Sequence, residues 1–198
     1  MKPSSCSRIS RSPRNRASWS CSRRSGPTST ALSPCRKGSS TLPPPGWYSP
    51  DVNGLSVRAP ASDADWEAYY ELRWRILRAP WQAQGPERDD TDATSLHRML
   101  CDAQGKTLAV GRLHRVDAQQ GQIRYMAVDS DCRRRGYGSL LLAGLEQAAR
   151  EMQLESIILQ AREAALPFYR RHGYNMVEKS FLLFDEIQHY LMNKQINN

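Results

Sequence analysis

The sequence predicts a mixed α/β domain, with a mostly antiparallel sheet and flanking helices. Three observations predict it. From Leu96 to Val128, short β-prone segments follow one another between turns rich in Gly and Asp, as in an antiparallel meander. The β-prone run Ile123–Val128 then passes through a turn holding Gly136 and Gly138 into a helical pattern. A short apolar segment, Ser156–Ala161, follows that helix and reads as a buried strand. Strand, helix and strand make a right-handed crossover with parallel strands, so the sheet is mixed.

The elements follow in order. Leu55–Arg58 alternates and suggests a first strand. Ser62 or Asp63 is an N-cap, with Asp65 and Glu67 in the first helical turn. That helix runs through Trp66, Tyr69, Tyr70, Leu72, Arg73, Ile76 and Leu77 and stops before Pro80. Residues 80–95, rich in Pro, Gly and Asp, read as a long loop, and long loops in compact domains are often functional. Strands are expected at Leu96–Cys101, Thr107–His114 and Gln122–Val128, with turns at Asp102–Gly105 and Asp117–Gly121. In the next helix, Leu141, Leu145, Ala148 and Met152 share one face. Glu146, Gln147, Arg150 and Glu151 form the wet side, and Ser139 is a candidate cap. Two late strands are expected near Tyr174–Lys179 and Ser180–Phe184.

The turn Arg133-Arg134-Arg135-Gly136-Tyr137-Gly138 is the richest in chemistry. Glycine lets a backbone turn sharply and approach a ligand closely. The helix that follows opens with unpaired N–H groups and a positive dipole end, which bind phosphate. A glycine pair by itself also fits a plain tight turn with solvated arginines. Neither G-x-G-x-x-G nor G-x-x-x-x-G-K-[ST] occurs.

Met126-Ala127-Val128 followed by Arg133-x-x-Gly136-x-Gly138 resembles the acetyl-coenzyme-A motif of the GNAT N-acetyltransferases. The block Ala164-Ala165-Leu166-Pro167-Phe168-Tyr169-Arg170-Arg171-His172-Gly173-Tyr174 resembles that family's tyrosine-bearing segment. Ile187 through Met192 is similar to its closing strand. The three blocks stand in the family's order and spacing, over roughly residues 55 to 195, and point to an ElaA-like branch. The resemblance implies the GNAT-like acyl-CoA N-acyltransferase fold, whose fourth and fifth strands splay around acetyl-CoA. It implies direct acetyl transfer to a primary amine in a ternary complex. The alternative is a non-catalytic acyl-CoA sensor on the same fold; the presence of Tyr169 favours the enzyme.

On this resemblance the backbone of Arg134, Arg135, Gly136, Tyr137, Gly138 and Ser139 faces the pyrophosphate, with Arg133 and Arg134 adding charge. Arg134 stands where the family often has glycine. Met126, Ala127 and Val128 line the pantetheine arm, and Phe168 belongs with them. Tyr169 is the implied proton donor to the leaving thiolate, or else a core tyrosine. Arg162 stands where many relatives have asparagine beside the cofactor; facing the substrate instead, it would favour an acceptor with a carboxylate. Glu163, His114, His97 and His189 are candidate bases, and a water chain is at least as good. Arg73, Trp74, Arg75 and Trp81, with Glu87, Asp89, Asp90 and Asp92, lie where relatives build the acceptor site. An acidic loop there suits a cationic amine, or is simply solvated. No metal site is visible, and dimers are common in the family.

The 198 residues carry a formal charge of +8, very unevenly. Residues 1–50 hold nine Lys or Arg and no Asp or Glu, leaving 19 basic and 20 acidic residues in 51–198. The Ser-, Arg- and Pro-rich segment 1–50 lacks the apolar content to offset chain entropy and is expected to be a disordered tail. A transit peptide, a nucleic-acid arm and a stretch without a role, such as an early-called start codon, all fit. No amphipathic period or aromatic interleaving supports the first two. Residues 51–198 suffice for one domain with a core. The five cysteines show no metal or redox spacing, so reduced thiols in the cytoplasm are expected, with Cys132 a plain loop residue. No apolar run approaches the length of a membrane span, and no secretory core is seen.

Overall fold

The computed structural model describes residues 54–81 and 88–196. The expected tail at 1–50 and Glu87 of the acidic loop lie outside the described residues. The described chain forms seven strands: β1 Ser56–Arg58, β2 Leu96–Cys101, β3 Thr107–Arg115, β4 Gln120–Val128, β5 Ser156–Arg162, β6 Asn175–Leu183 and β7 Ile187–Gln195. Three helices accompany them: α1 Asp63–Leu77, α2 Tyr137–Glu151 and α3 Leu166–Arg171. The sheet order is β1-β2-β3-β4-β5-β7-β6. Only the β4–β5 pair is parallel, as the crossover through α2 requires. The mixed, mostly antiparallel sheet expected from the sequence is therefore the observed one.

Strand alternation sends neighbouring residues to opposite faces. Leu100 and Ala109 pack with Leu141, Leu142, Leu145 and Ala148 of α2. Met99, Cys101 and Val110 pack instead with Tyr69, Tyr70 and Leu72 of α1. The two long helices thus cover opposite faces. Burying each large apolar side chain contributes on the order of 2 kcal/mol. α1 begins where the Ser62 hydroxyl accepts the Asp65 N–H at 3.2 Å. It ends with the Arg78 N–H on the Trp74 carbonyl, just before Pro80. The loop that follows contains two short 3-10 turns, Ala79–Trp81 and Asp92–Thr94.

Three expectations are corrected. Glu146 is buried, not wet, because the Lys194 ammonium of β7 meets both its carboxylate oxygens at 2.7 and 2.8 Å; a charge enters a core only with a partner. The two late strands are one, β6, kinked by register shifts at Met176/Glu178 and Lys179/Leu182. The hairpin to β7 turns through Phe184 and Asp185, both left-handed at φ 54° and 55°, a pattern usually built from Asn and Gly. Cys132 is buried against the α2 cluster instead of lying free in a loop.

Candidate functional site

β4 and β5 part company halfway along. Their pairing runs from Gln120↔Ser156 to Ile123↔Leu159 and stops there. β4 continues to Val128 and β5 to Arg162, so from Arg124 onward the β5-facing edge of β4 has no strand partner. The divergence follows a bulge. On the other side of β4, Arg112 pairs with Arg124 but Val110 with Ala127, so β4 holds one extra residue. Tyr125 lies in this bulge with φ 54°. Gly111 faces the bulge from β3; a Cβ there would stand 3.0 Å from Met126 Cγ.

Side chains from three elements hold that bulge. Asp92 is buried and accepts from Arg73 at 2.8 and 3.1 Å and from Arg112 at 2.6 Å. Arg112 also donates to Asp89 at 2.8 Å and to the Thr91 hydroxyl at 2.7 Å. The Tyr125 hydroxyl donates to Asp89 at 2.8 Å, and the Arg73 guanidinium stacks 3.6 Å from its ring centre. Burial pushes the Asp92 carboxyl up, but the Arg73 and backbone hydrogen bonds and the two guanidinium charges outweigh it and hold it low. Burial likewise opposes, and the bonds from Arg112, Thr91 and Tyr125 outweigh, at Asp89, which also stays ionised. This corrects the reading of Asp89 and Asp92 as a site for a cationic amine: Arg73 and Arg112 already neutralise them. Arg75 is likewise engaged, by Glu71 and Asp129, while Trp74 is exposed.

The glycine turn stands past the end of β4. Arg134 and Gly136 are left-handed at φ 63° and 84°. Gly136 is the N-cap of α2, with no side-chain cap and no acidic residue in the first turn. The Gly136 carbonyl accepts from the Ser139 and Leu140 amides at 2.9 and 3.1 Å. Among the described residues, the amides of Arg134, Arg135, Gly136, Tyr137 and Gly138 have no protein acceptor. Arg133, Arg134 and Arg135 are exposed beside them. Ser139 is neither the cap nor a free amide. Its hydroxyl lies 2.9 Å from His172 Nε2, whose Nδ1 donates to the Phe168 carbonyl at 2.9 Å. A Cβ on Gly138 would meet the Phe168 ring at 3.4 Å, so these contacts dock α3 on the first turn of α2.

α3 also carries Tyr169. Its hydroxyl points to Met126 Sδ at 3.6 Å, across the open edge of β4. Burial pushes the phenol up, so it keeps its proton at neutral pH. Met126 and Val128 face the α2 cluster with Phe168, while Ala127 faces α1. Arg162 ends β5, over the Trp81 ring at 4.5 Å and 3.3 Å from the Leu77 carbonyl. Its side chain leaves the sheet on the side away from Ala161, which packs with Tyr169.

The base candidates separate. His97, on β2, donates from Nε2 to the Asp92 carbonyl at 2.9 Å, and its ring packs against Trp66 and Tyr69 of α1, away from the open edge. His114 lies on β3 paired with Gln122, and burial, then the charges of Arg112 and Arg124, keep it neutral. Glu163 is exposed beyond β5. His189 pairs directly with Arg162, and burial, then the Arg162 charge, hold it neutral. Sequence reasoning missed Tyr125 and His172. No local signal marks a left-handed tyrosine, whereas the i, i+4 spacing of Phe168 and His172 on a short helix was legible.

An open strand edge, free amides at a helix start and a phenol between them can hold an extended phosphate-bearing chain and deliver a proton at its far end. Residues 66–174 match the model of the acetyltransferase (GNAT) family, and the chain belongs to that family. It is similar to a UPF0039 protein of Schizosaccharomyces pombe, 33% identical over 129 residues, which cover 64% of this chain and 85% of the relative. Its fold is similar to an acyl-CoA N-acyltransferase from Pseudomonas aeruginosa, with TM-score 0.62 and 24% identity over 71% of this chain and 97% of the other. Escherichia coli ElaA shares the fold, with TM-score 0.62 and 18% identity over 71% and 97%. Among the described residues no group of three or more His, Cys, Asp and Glu side chains is arranged to hold a metal ion.

Proposed function

We propose that this chain moves an acetyl group from acetyl-CoA to a primary amine, on a small molecule or a peptide, by direct transfer in a ternary complex. The observation that carries the reading is the unpaired edge of β4, with free amides at one end and the Tyr169 hydroxyl across it. The site fits coenzyme A: the amides of Arg134 to Gly138 suit a diphosphate, and the open strand edge suits the amide-bearing pantetheine arm. Bound acetyl-CoA supplies an activated thioester. Arg133 and Arg134 add charge-assisted bonds at the phosphates. The β4 backbone at the bulge offers an N–H to the carbonyl oxygen as negative charge develops there. Tyr169 holds its proton at Oη, where the sulfur departs. A free thiol titrates at ~8.5 and a free phenol at ~10, and burial raises the Tyr169 phenol further, so the proton transfer to the departing thiolate is uphill.

Replacing Tyr169 by Phe tests this. Turnover, read as thiol release, is expected to fall at least about tenfold, with the CoA dissociation constant unchanged. Equal turnover removes the acid role. Coenzyme A binding without transfer to any amine leaves the sensor reading. Membership of the ElaA-like branch and a cytoplasmic location belong to the same proposal; no helix among the described residues is long and apolar enough to cross a membrane. A homodimer belongs to it too. The edge strand β6 exposes Met176, Val177, Phe181 and Leu182, and sedimentation at micromolar concentration checks whether two copies cover it.

A further inference from the structure

Arg162 differs from every other arginine held in this core. Arg73 and Arg112 are buried and each meets a carboxylate at under 3 Å. Among the described residues no carboxylate lies within 4.0 Å of Arg162. Among the described residues its one side-chain hydrogen bond is the long contact to the Leu77 carbonyl at 3.3 Å. Burial, then the like charge of Arg133, depress its affinity for its own proton. A half-buried guanidinium with a cation nearby and no counter-ion among the described residues is costly unless an anion arrives.

Its surroundings are shaped for one. The Trp81 ring lies on one face of the guanidinium at 4.5 Å, and Phe184 of the β6–β7 turn stacks on Trp81 at 6.3 Å. The stack holds the plane and leaves edge donors free for a forked contact. Two acceptors stand beside it on the same face of the sheet. Gln160, two residues back, has a buried Oε1 with no hydrogen-bond partner. His189, across from Arg162 and 94% buried (6% exposed), donates from Nδ1 to the Ile187 carbonyl, so Nε2 keeps its lone pair. The group of Arg162, Gln160 and His189 lies on the opposite face of the sheet from Tyr169 and Phe168, beside the end of the β4–β5 pairing.

We propose that this is the acceptor subsite, and that the acceptor is a small primary amine carrying a carboxylate, in the manner of a free amino acid. Arg162 pairs with the carboxylate under Trp81, while Gln160 Oε1 and His189 Nε2 accept N–H groups of the amine. This rests on the transferase reading above.

The test uses the full chain, acetyl-CoA and matched acceptors: amino acids, their carboxamides and the corresponding decarboxylated amines. The free acids are expected to give kcat/KM roughly thirtyfold or more above their carboxamides, the effect of one desolvated charge pair. Arg162→Gln is expected to abolish that preference while changing the CoA dissociation constant less than about twofold, with Arg162→Lys in between. Carboxamides and decarboxylated amines used as well as the acids by the natural chain would overturn the proposal, whatever the variants do. So would an Arg162→Gln variant that weakens CoA binding and leaves the acid-to-amide ratio intact, since Arg162 would then serve the cofactor. No coenzyme A binding and no transfer to any acceptor would sink the transferase reading and this inference with it. Transfer without carboxylate preference sinks the inference alone.

Discussion

Asp92 carries the shape of the site without touching the open edge of β4. It joins Arg73 of α1 to Arg112 of β3, and both guanidiniums pack on Tyr125. Asp92→Asn leaves the buried Arg73 guanidinium without a carboxylate and Arg112 with Asp89 alone, so a loss of roughly 3 kcal/mol is expected in urea unfolding at neutral pH. The pH dependence follows from the depressed carboxyls of Asp92 and Asp89. Their folded values lie below the unfolded ones, so their stabilisation is complete above about pH 4 and is lost as pH falls through the folded values. The unfolding midpoint of the natural chain should therefore drop steeply between pH 4 and 2, and that of Asp92→Asn less so. None of this was legible locally. The partners of Asp92 lie 19 and 20 residues away, and a string of acids in a loop looks the same whether solvated or locked.

α2 and the turn before it were legible, because what specifies them is local. Glycine at 136 supplies the left-handed N-cap, and the apolar spacing sets the face that packs. Gly136→Ala places a side chain at φ 84°, and about 1 kcal/mol of stability is expected to go with it. The turn should also relax away from its present curve, so calorimetry should find weaker coenzyme A binding. A variant with unchanged affinity would show that the curve is not what binds. The hairpin at Phe184–Asp185 was illegible for the converse reason. Asp185 tolerates the left-handed region but Phe184 does not favour it, and the pairing of β6 with β7 imposes it on both. Glu146 misled in a similar way: its helical position predicts solvent, and only the neighbouring β7 brings Lys194 to it.

At the scale of the whole chain, the charge lies in residues 1–50 while 51–198 is close to neutral. We propose that residues 1–50 contribute nothing to the activity of the rest of the chain. A chain beginning at residue 51 is expected to keep the melting temperature, the coenzyme A affinity and the turnover of the full chain, checked by scanning fluorimetry, calorimetry and thiol release. A drop in any of them would give the tail a role in the domain. The sequence by itself determined the order of strands and helices, the glycine turn and the tyrosine-bearing block, since periodicity, caps and turn residues act over a few positions. Only the tertiary structure decided where β4 leaves β5, which acids are already neutralised, and which way Arg162 looks. Those outcomes depend on the register between strands and on ion pairs closed across long stretches of chain, and no short window of sequence contains both partners.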